Sequence, residues 1–279
     1  LLATTEGPRA SLQPLAEGIS FARARGQRAG DRYLTSGMVN MLYGAGEHDE
    51  ALRVAADLVP QVEAGDDITL LDIRTVQVSI STLRGQGEPA TGRLDWIEAR
   101  SRQTGDPQII VSGLVPAAVA RAGIGDGSAA RRLLAEVEAY PGARENTNYA
   151  VTLPSMVRTA LQLRDYALAE QLVAGSWGPW PYARHALVAA DAALAEARGD
   201  TQVAADAYAD AADRWRRFGV VEEEGFALLG QGRCLIGLSR LADADLELQR
   251  ARSIFERLHA APALAEVDEL IRLVAERAG

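Results

Sequence analysis

The sequence predicts an all-α fold, a right-handed superhelical solenoid of about seven antiparallel helix pairs with no sheet. Three observations lead to this prediction. Ala and Leu dominate a composition that is 48% hydrophobic and only 5% aromatic, and Ala favours closely packed helices because it loses no side-chain entropy there. Apolar residues recur at helical spacings of three and four. A longer pattern returns roughly every 35 to 41 residues.

The helical period is clearest between residues 201 and 218. One apolar stripe there consists of Ala204, Tyr208, Ala211, Trp215 and Phe218, while acidic and basic side chains lie elsewhere on the helix. The preceding helix, about 182–198, ends at Gly199 and Asp200, where Gly favours a left-handed C-terminal cap and Asp200 or Thr201 an N-terminal cap. These features predict two helices joined by a tight turn.

The same turn occurs six times, and in most units an acidic residue precedes a small residue that lies one helical turn into the next helix. The small residues are Ala51, Gly92, Ala130, Ala169, Ala204 and Ala244. Four positions after each of them stand Ala55, Trp96, Leu134, Val173, Tyr208 and Leu248. We expect the small residue to lie where two helices cross and the following, usually bulkier, side chain to fill the groove beside it.

Self-similarity at a fixed period is typical of a helical solenoid, because one helix pair cannot bury its apolar face alone. The stack should end with a helix over about 261–276, whose outer face is rich in charges. No linker divides the chain, so we expect a single helical repeat domain over 1–279 with an irregular junction at 176–182. Because the chain begins without Met, we also expect it to be the C-terminal fragment of a larger protein.

Charge and composition exclude several functions. The net charge is −9, which opposes direct binding of nucleic acid. All 29 basic residues are Arg, whereas Walker-A phosphate binding, Schiff-base chemistry and Ser-Lys hydrolysis all need Lys. No run approaches the roughly 18 apolar residues of a membrane-spanning helix. We therefore expect no membrane association and no bound cofactor.

The residues that usually form metal sites or nucleophiles are few and far apart. His48, His185 and His259 are too widely spaced for a zinc site, so we expect no metal, and we expect His48 to be a solvated loop residue. Cys234 lies in an apolar helical run and should be a buried, unreactive thiol. One cysteine cannot form an internal disulfide, which favours a cytoplasmic location. Glycine-rich segments such as 123–127 follow helices and not strands, so we interpret them as turns.

The repeat unit resembles the tetratricopeptide repeat, most closely in the segment 228–251 with Ala244, Leu248 and Ala251 at the helix crossing. The spacing exceeds the usual 34 residues of that repeat, so a less regular α-solenoid is also compatible. Within the last hundred residues, the run from Pro181 to Gly230 resembles the tail of large actinobacterial signalling proteins. Those proteins combine a nucleotide cyclase or helix-turn-helix regulator with an ATPase domain and a tetratricopeptide tail. This resemblance implies a regulatory tail, with catalytic or DNA-binding parts elsewhere.

In tetratricopeptide-like superhelices the first helix of each pair lines the concave surface. Counting back from the small crossing residues gives six polar candidates for that surface: Asn40, Tyr43, Gln77, Arg84, Arg158 and Arg233. Several arginines on one concave face of an acidic protein would favour an acidic peptide or carboxylate. The alternative is that they are solvated residues or partners in internal salt bridges.

Two large aromatic residues, Trp177 and Trp180, flank Gly178 and Pro179. They are candidates for an exposed platform that contacts a partner, or for the core of an irregular helix junction. Arg184, next to them, would then stack on an indole or face water.

We therefore expect a non-catalytic scaffold that binds a protein, a peptide or an upstream domain of the same chain. The alternative is a sensor domain that holds a small metabolite in its concave groove. An enzyme would require acidic residues clustered in a closed pocket with raised pKa values. The sequence does not indicate the oligomeric state.

Overall fold

The computed structural model describes residues 2–63, 65, 67–176 and 178–278, and all their side chains except those of residues 67 and 88–91. These residues form fifteen helices and no strand. The helices are α1 (Leu2–Thr5), α2 (Pro8–Ala24), α3 (Arg28–Gly44), α4 (His48–Val62), α5 (Asp67–Leu83), α6 (Gly87–Thr104), α7 (Pro107–Gly123), α8 (Gly127–Ala139), α9 (Thr147–Gln162), α10 (Tyr166–Val173), α11 (Pro181–Arg198), α12 (Thr201–Phe218), α13 (Val221–Gly237), α14 (Leu241–Leu258) and α15 (Ala261–Ala278). The predicted all-α solenoid of helix pairs is confirmed.

Short turns join the helices of each pair, as the repeated turn residues predict. Gly125 and Gly199 have φ angles of +86° and +85°, the left-handed conformation that a glycine adopts without steric cost. Arg164 and Ser239 adopt the same region with φ of 56° and 59° in the two turns that lack glycine. The Asp165 side chain then accepts a hydrogen bond from the Leu168 amide and caps α10.

The small residues of the repeat lie in the core in five of the six units. Ala51, Ala130, Ala169, Ala204 and Ala244 have no solvent exposure. Gly92 is exposed, so its assignment to the helix crossing is wrong. Among the described side chains of α6, the apolar residues with no solvent exposure are Leu94 and Ile97, two and five positions after Gly92.

Two glycines within α13 allow its close approach to both neighbouring helices. A Cβ atom on Gly230 would lie 2.4 Å from the Tyr208 ring of α12, and one on Gly232 would lie 2.5 Å from Leu248 Cδ2 of α14. Bulky side chains from α12 and α14 thus pack directly on the backbone of α13.

Helices that lie ten positions apart in the order of elements also contact each other. Helix α1 contacts α11, and α15 contacts α5. Between α3 and α13, a Cβ atom on Gly46 would lie 2.9 Å from Val221 Cβ. The constant offset indicates that five helix pairs complete one superhelical turn and that the next turn packs against the first. We call this set of contacts, between α1, α3 and α5 on one side and α11, α13 and α15 on the other, the seam.

His48 is buried, which corrects the expectation of a solvated loop residue. It is 2% exposed and stacks on Tyr43 with ring centroids 5.2 Å apart, at the end of α3 where the seam forms. Burial and the nearby Arg84 lower the pKa of His48 to about 4, so its ring is neutral at pH 7. Its position in a turn did not reveal this burial, because neither the Tyr43 ring of the preceding helix nor Arg84, 36 residues further along the chain, could be placed beside it from the sequence.

Candidate partner-binding surface

The odd-numbered helices form a continuous inner layer. Each of α3, α5, α7 and α9 contacts the next odd-numbered helix, while the even-numbered helices pack outside them. The surface of the odd-numbered helices that faces the superhelix axis is termed the inner face. All six polar candidates on α3, α5, α9 and α13 or at their ends belong to this layer.

Arg158 on α9 lies at the centre of a group of polar side chains that are buried or partly buried. Its two terminal nitrogens donate to both carboxylate oxygens of Glu223 on α13, at 2.5 and 2.8 Å. Its guanidinium also lies 4.2 Å from the centroid of the Phe226 ring. Such a bidentate pair with an aromatic contact is the strongest form of arginine recognition, and here the carboxylate is supplied by the chain itself.

Tyr43 of α3 completes this group across the seam. Its hydroxyl donates to Glu222 of α13 at 3.0 Å. Burial, and then the neighbouring Glu223, raise the pKa of Glu222 to about 7. Burial also raises the pKa of Tyr43 and of nearby Tyr182. We call Tyr43, Arg158, Tyr182, Glu222 and Glu223 the seam cluster.

Arg233 on α13 forms a second bidentate ion pair. It donates to Glu196 of α11 at 2.7 and 2.9 Å, and to Glu266 of α15 at 2.8 Å. Glu196 also accepts the hydroxyl hydrogen of Tyr208 at 2.7 Å. Burial opposes the charge of Arg233, but the hydrogen bonds to Glu196 outweigh it and raise its pKa. Its side chain is 34% exposed, so Arg233 is more accessible than Arg158.

The other candidates make smaller contacts. Arg84 donates to Asp49 at 2.6 Å, and this hydrogen bond lowers the pKa of Asp49. Arg93 donates to Gln77 at 3.4 Å, and Asn40 donates to the Ser36 carbonyl at 3.2 Å. Each of the six polar candidates therefore has an intramolecular partner, as the salt-bridge alternative anticipates for the arginines.

Trp180, one of the two aromatic candidates, lies at the α10–α11 junction. Trp180 is half-buried and precedes the first residue of α11. Its ring lies beside Gly178, where a Cβ atom would be 3.2 Å from Trp180 Cε3. Trp177 lies outside the described residues. Arg184, one turn into α11, is exposed.

The acidic partners of these arginines were not predicted from the sequence. Glu196, Glu222, Glu223 and Glu266 lie on helices remote in sequence from most of their partners, and acidic residues were interpreted as solvated helix faces. One signal was available, because Glu222 and Glu223 stand between apolar residues in the run 220–228. Three glutamates at the start of a largely apolar helix indicate that at least one of them faces the interior.

The described residues contain no group of three or more His, Cys, Asp and Glu side chains that could hold a metal ion. Cys234 is buried, and burial raises the pKa of its thiol to about 12. The described helices also include none with the length and apolar character needed to cross a membrane.

Comparison with known proteins supports the fold. No family model matches the chain, and no curated protein matches its sequence. A solved structure that is similar carries the description "Crystal Structure of Rap Protein Complexed with Competence and Sporulation Factor". It shares 14% identity over 86% of this chain and 70% of that chain, with a TM-score of 0.57. The likeness identifies the architecture as a tetratricopeptide-like helical repeat.

Proposed function

We propose that this chain is a non-catalytic scaffold that binds an acidic segment of a protein or peptide on its inner face. The observation that carries this proposal is the state of its arginines. Arg158 and Arg233, on different helices, each hold a carboxylate in bidentate geometry. Glu196 fixes the Arg233 guanidinium, and its Nη1 atom, which pairs with half-exposed Glu266, is oriented for a carboxylate from another molecule.

The similar solved structure supports a role in binding. The Rap protein of that structure is complexed with a second molecule, the competence and sporulation factor. Stacked helix pairs provide an extended concave surface, and such surfaces commonly bind extended peptides. By analogy, we propose that the partner of this chain is a protein or peptide rather than a nucleic acid or membrane.

We expect a carboxylate of the partner to bind first at Arg233. Glu266, one of its two acidic partners, is 46% exposed on the last helix. An exposed ion pair contributes little stability, typically under about 1 kcal/mol. A carboxylate of the partner can therefore replace Glu266 at low cost while Glu196 keeps the guanidinium oriented.

A capture experiment tests this role. Tagged protein would be cross-linked to its partners in lysate of the source organism, and the cross-linked peptides would be mapped. The variant Arg233→Gln should lose the partners that cross-link to α11, α13 and α15. Arg240→Gln is the matched control, because Arg240 is half exposed in the α13–α14 turn and pairs with Asp243.

The captures with Arg233→Gln and Arg240→Gln distinguish the possible outcomes. Loss in Arg233→Gln with retention in Arg240→Gln supports the inner-face scaffold. Equal retention by both variants, or cross-links confined to the even-numbered outer helices, would contradict it. The alternative is a metabolite sensor, which would show one-to-one calorimetric heat with a small molecule and no captured protein.

We further propose that this helical unit acts as one domain and serves as the regulatory tail of a larger cytoplasmic regulator. The resemblance of residues 181–230 to actinobacterial signalling tails supports this context. Sequencing the complete reading frame tests it. An adjoining cyclase, ATPase or helix-turn-helix segment would support the regulator context, and a frame that contains only helical repeats would refute it.

A further inference from the structure

An open depression lies between α11 and α12, away from the residues proposed for partner binding. It has a volume of about 340 Å³ and is lined by His185, Asp210, Arg214, Arg217 and Phe218. Its base is rigid, because the His185 ring packs edge-on against Trp215 and Phe218 at 5.5 and 5.1 Å between centroids. The Trp215 side chain has no solvent exposure. The depression thus has a well-packed aromatic base and polar side walls.

The walls are positively charged although the protein is acidic. Arg214 and Arg217 line the depression, and Arg184 stands next to His185. Asp210 neutralises part of this charge by accepting a hydrogen bond from Arg214 at 2.8 Å. Arg217 pairs with Asp213, but its side chain is 72% exposed, so that ion pair is weak. At least one guanidinium is therefore free to turn toward a ligand.

His185 responds to this positive field. Burial is the first cause that lowers its pKa, and Arg214, Arg184 and Arg217 lower it further against the opposing effect of Asp210. Its Nδ1 atom is buried and has no hydrogen-bond partner among the described residues. An unpaired polar atom in a rigid site is costly unless something satisfies it. A bound anion would favour the protonated imidazole and accept hydrogen bonds from its surroundings.

We propose that this depression binds a small phosphate-type oxyanion, either inorganic phosphate or the phosphate group of a small metabolite. Arg217 and Arg214 would supply planar guanidinium donors, and His185 would form the inner wall. This site goes beyond the proposed scaffold function, because its residues are not those of the inner face. The end of α12 that lines the depression also contacts the start of α2, where a Cβ atom on Gly7 would lie 2.0 Å from the Phe218 carbonyl oxygen.

NMR titration of the three histidine rings tests the proposal. Inorganic phosphate should raise the pKa of His185 by about half a unit or more in a saturable manner. Buried His48 and exposed His259 serve as internal controls and should not change. Sodium chloride at matched ionic strength separates binding from screening. A second titration uses glycerol 3-phosphate. If both anions bind, the site recognises the phosphate group itself; if only the ester binds, the site requires an organic phosphate.

Two variants decide whether the arginines hold the anion. Arg217→Gln should weaken phosphate binding about fivefold or more, whereas Arg216→Gln should leave it unchanged. Arg216 stands on the same exposed end of α12 and pairs with the same Asp213, but does not line the depression. Circular dichroism would verify that both variants are folded. Equal shifts of all three histidines, a chloride effect of the same size, or full retention of binding in Arg217→Gln would overturn the proposal.

Discussion

Two adjacent glutamates of α13 have opposite roles in the seam cluster. Glu223 forms a bidentate ion pair with Arg158, whereas among the described residues Glu222 accepts a side-chain hydrogen bond from the Tyr43 hydroxyl alone. The burial of Glu222 and the negative charge of Glu223 both disfavour ionisation of Glu222. One acid should therefore stabilise the fold when charged, and the other should destabilise it.

Glu222→Gln should stabilise the protein in a pH-dependent way. The pKa of Glu222 is raised from 4.5 to about 7 in the folded state. Between those values the folded state binds a proton that the unfolded state does not, so this group lowers stability as pH rises through the window. Urea unfolding should show equal stability at pH 4 and an advantage for the variant at pH 8, on the order of 2 kcal/mol. A difference independent of pH would contradict the assignment.

Glu223→Gln should destabilise the protein at both pH values. The substitution leaves Arg158, which is 28% exposed, without its bidentate partner. Loss of one member of a largely buried pair leaves an uncompensated charge, and we expect a cost of about 2–3 kcal/mol. The same urea series measures it. A neutral result would mean that the pair contributes no more than a surface salt bridge.

The sequence indicated the arginines of these pairs but not their acids. Arg158 and Arg233 could be located because the helical period places them on the first helix of a repeat. Glu223 and Glu196 are 65 and 37 residues away from them, and no local period relates two helices that meet only through the superhelix. The seam then buries two successive side chains of α13 that a simple amphipathic helix would not bury together.

At the scale of single helices, turns with similar sequences differ in their capping. Asp165 accepts a hydrogen bond from the Leu168 amide and another from Arg131 Nε at 2.7 Å. Asp200 stands at the equivalent place before α12 but makes no side-chain capping bond. The sequence predicts a cap at Asp200, whereas the observed capping hydrogen bond is made by Asp165.

Asp165→Ala should therefore cost more than Asp200→Ala. Loss of a capping carboxylate typically costs about 1 kcal/mol, and loss of the Arg131 contact adds a few tenths. Replacement of Asp200 should change stability by less than about 0.5 kcal/mol. Thermal unfolding of the two variants measures the difference. Equal losses would mean that Asp200 also caps its helix in solution.

Gly232→Ala and Gly92→Ala should have effects of opposite sign. Alanine at 232 would place its Cβ 2.5 Å from Leu248 Cδ2, and the required displacement should cost about 1–2 kcal/mol net of the better helix propensity. Exposed Gly92 has no heavy atom within 4 Å of an added Cβ, so alanine there should stabilise α6 by about 0.5–1 kcal/mol. The midpoints of urea unfolding of both variants test whether Gly92 lies outside a helix crossing. If Gly92→Ala destabilises the protein, Gly92 does lie at a crossing.

The sequence predicts the helix pairs of the molecule, but not the packing of one superhelical turn against the next. Repeated turns and small residues specify which helices are neighbours along the chain. The superhelical pitch depends on the rotation between successive pairs, and small differences in that rotation accumulate over five pairs. No single residue encodes the result, so the contact of α3 with α13 and the burial of His48 could not be predicted.

Gly46→Asn should open the seam, whereas Gly125→Asn should not. Both glycines have positive φ angles, 78° and 86°, so the backbone strain of asparagine is matched. Of the two, only Gly46 faces the next superhelical turn, where a Cβ atom on Gly46 would lie 2.9 Å from Val221 Cβ. A Cβ atom on Gly125 would have no heavy atom within 4 Å. Small-angle X-ray scattering should therefore show a larger radius of gyration for Gly46→Asn alone.

The same pair of variants connects the seam to partner binding. If the contact of α3 with α13 limits access to Arg158, an acidic partner should bind the Gly46→Asn protein more tightly than the wild type or Gly125→Asn. Stronger binding would follow because the free energy of opening would no longer be subtracted from that of association. An increased radius of gyration with unchanged affinity would instead mean that Arg233, outside the seam cluster, accounts for the binding.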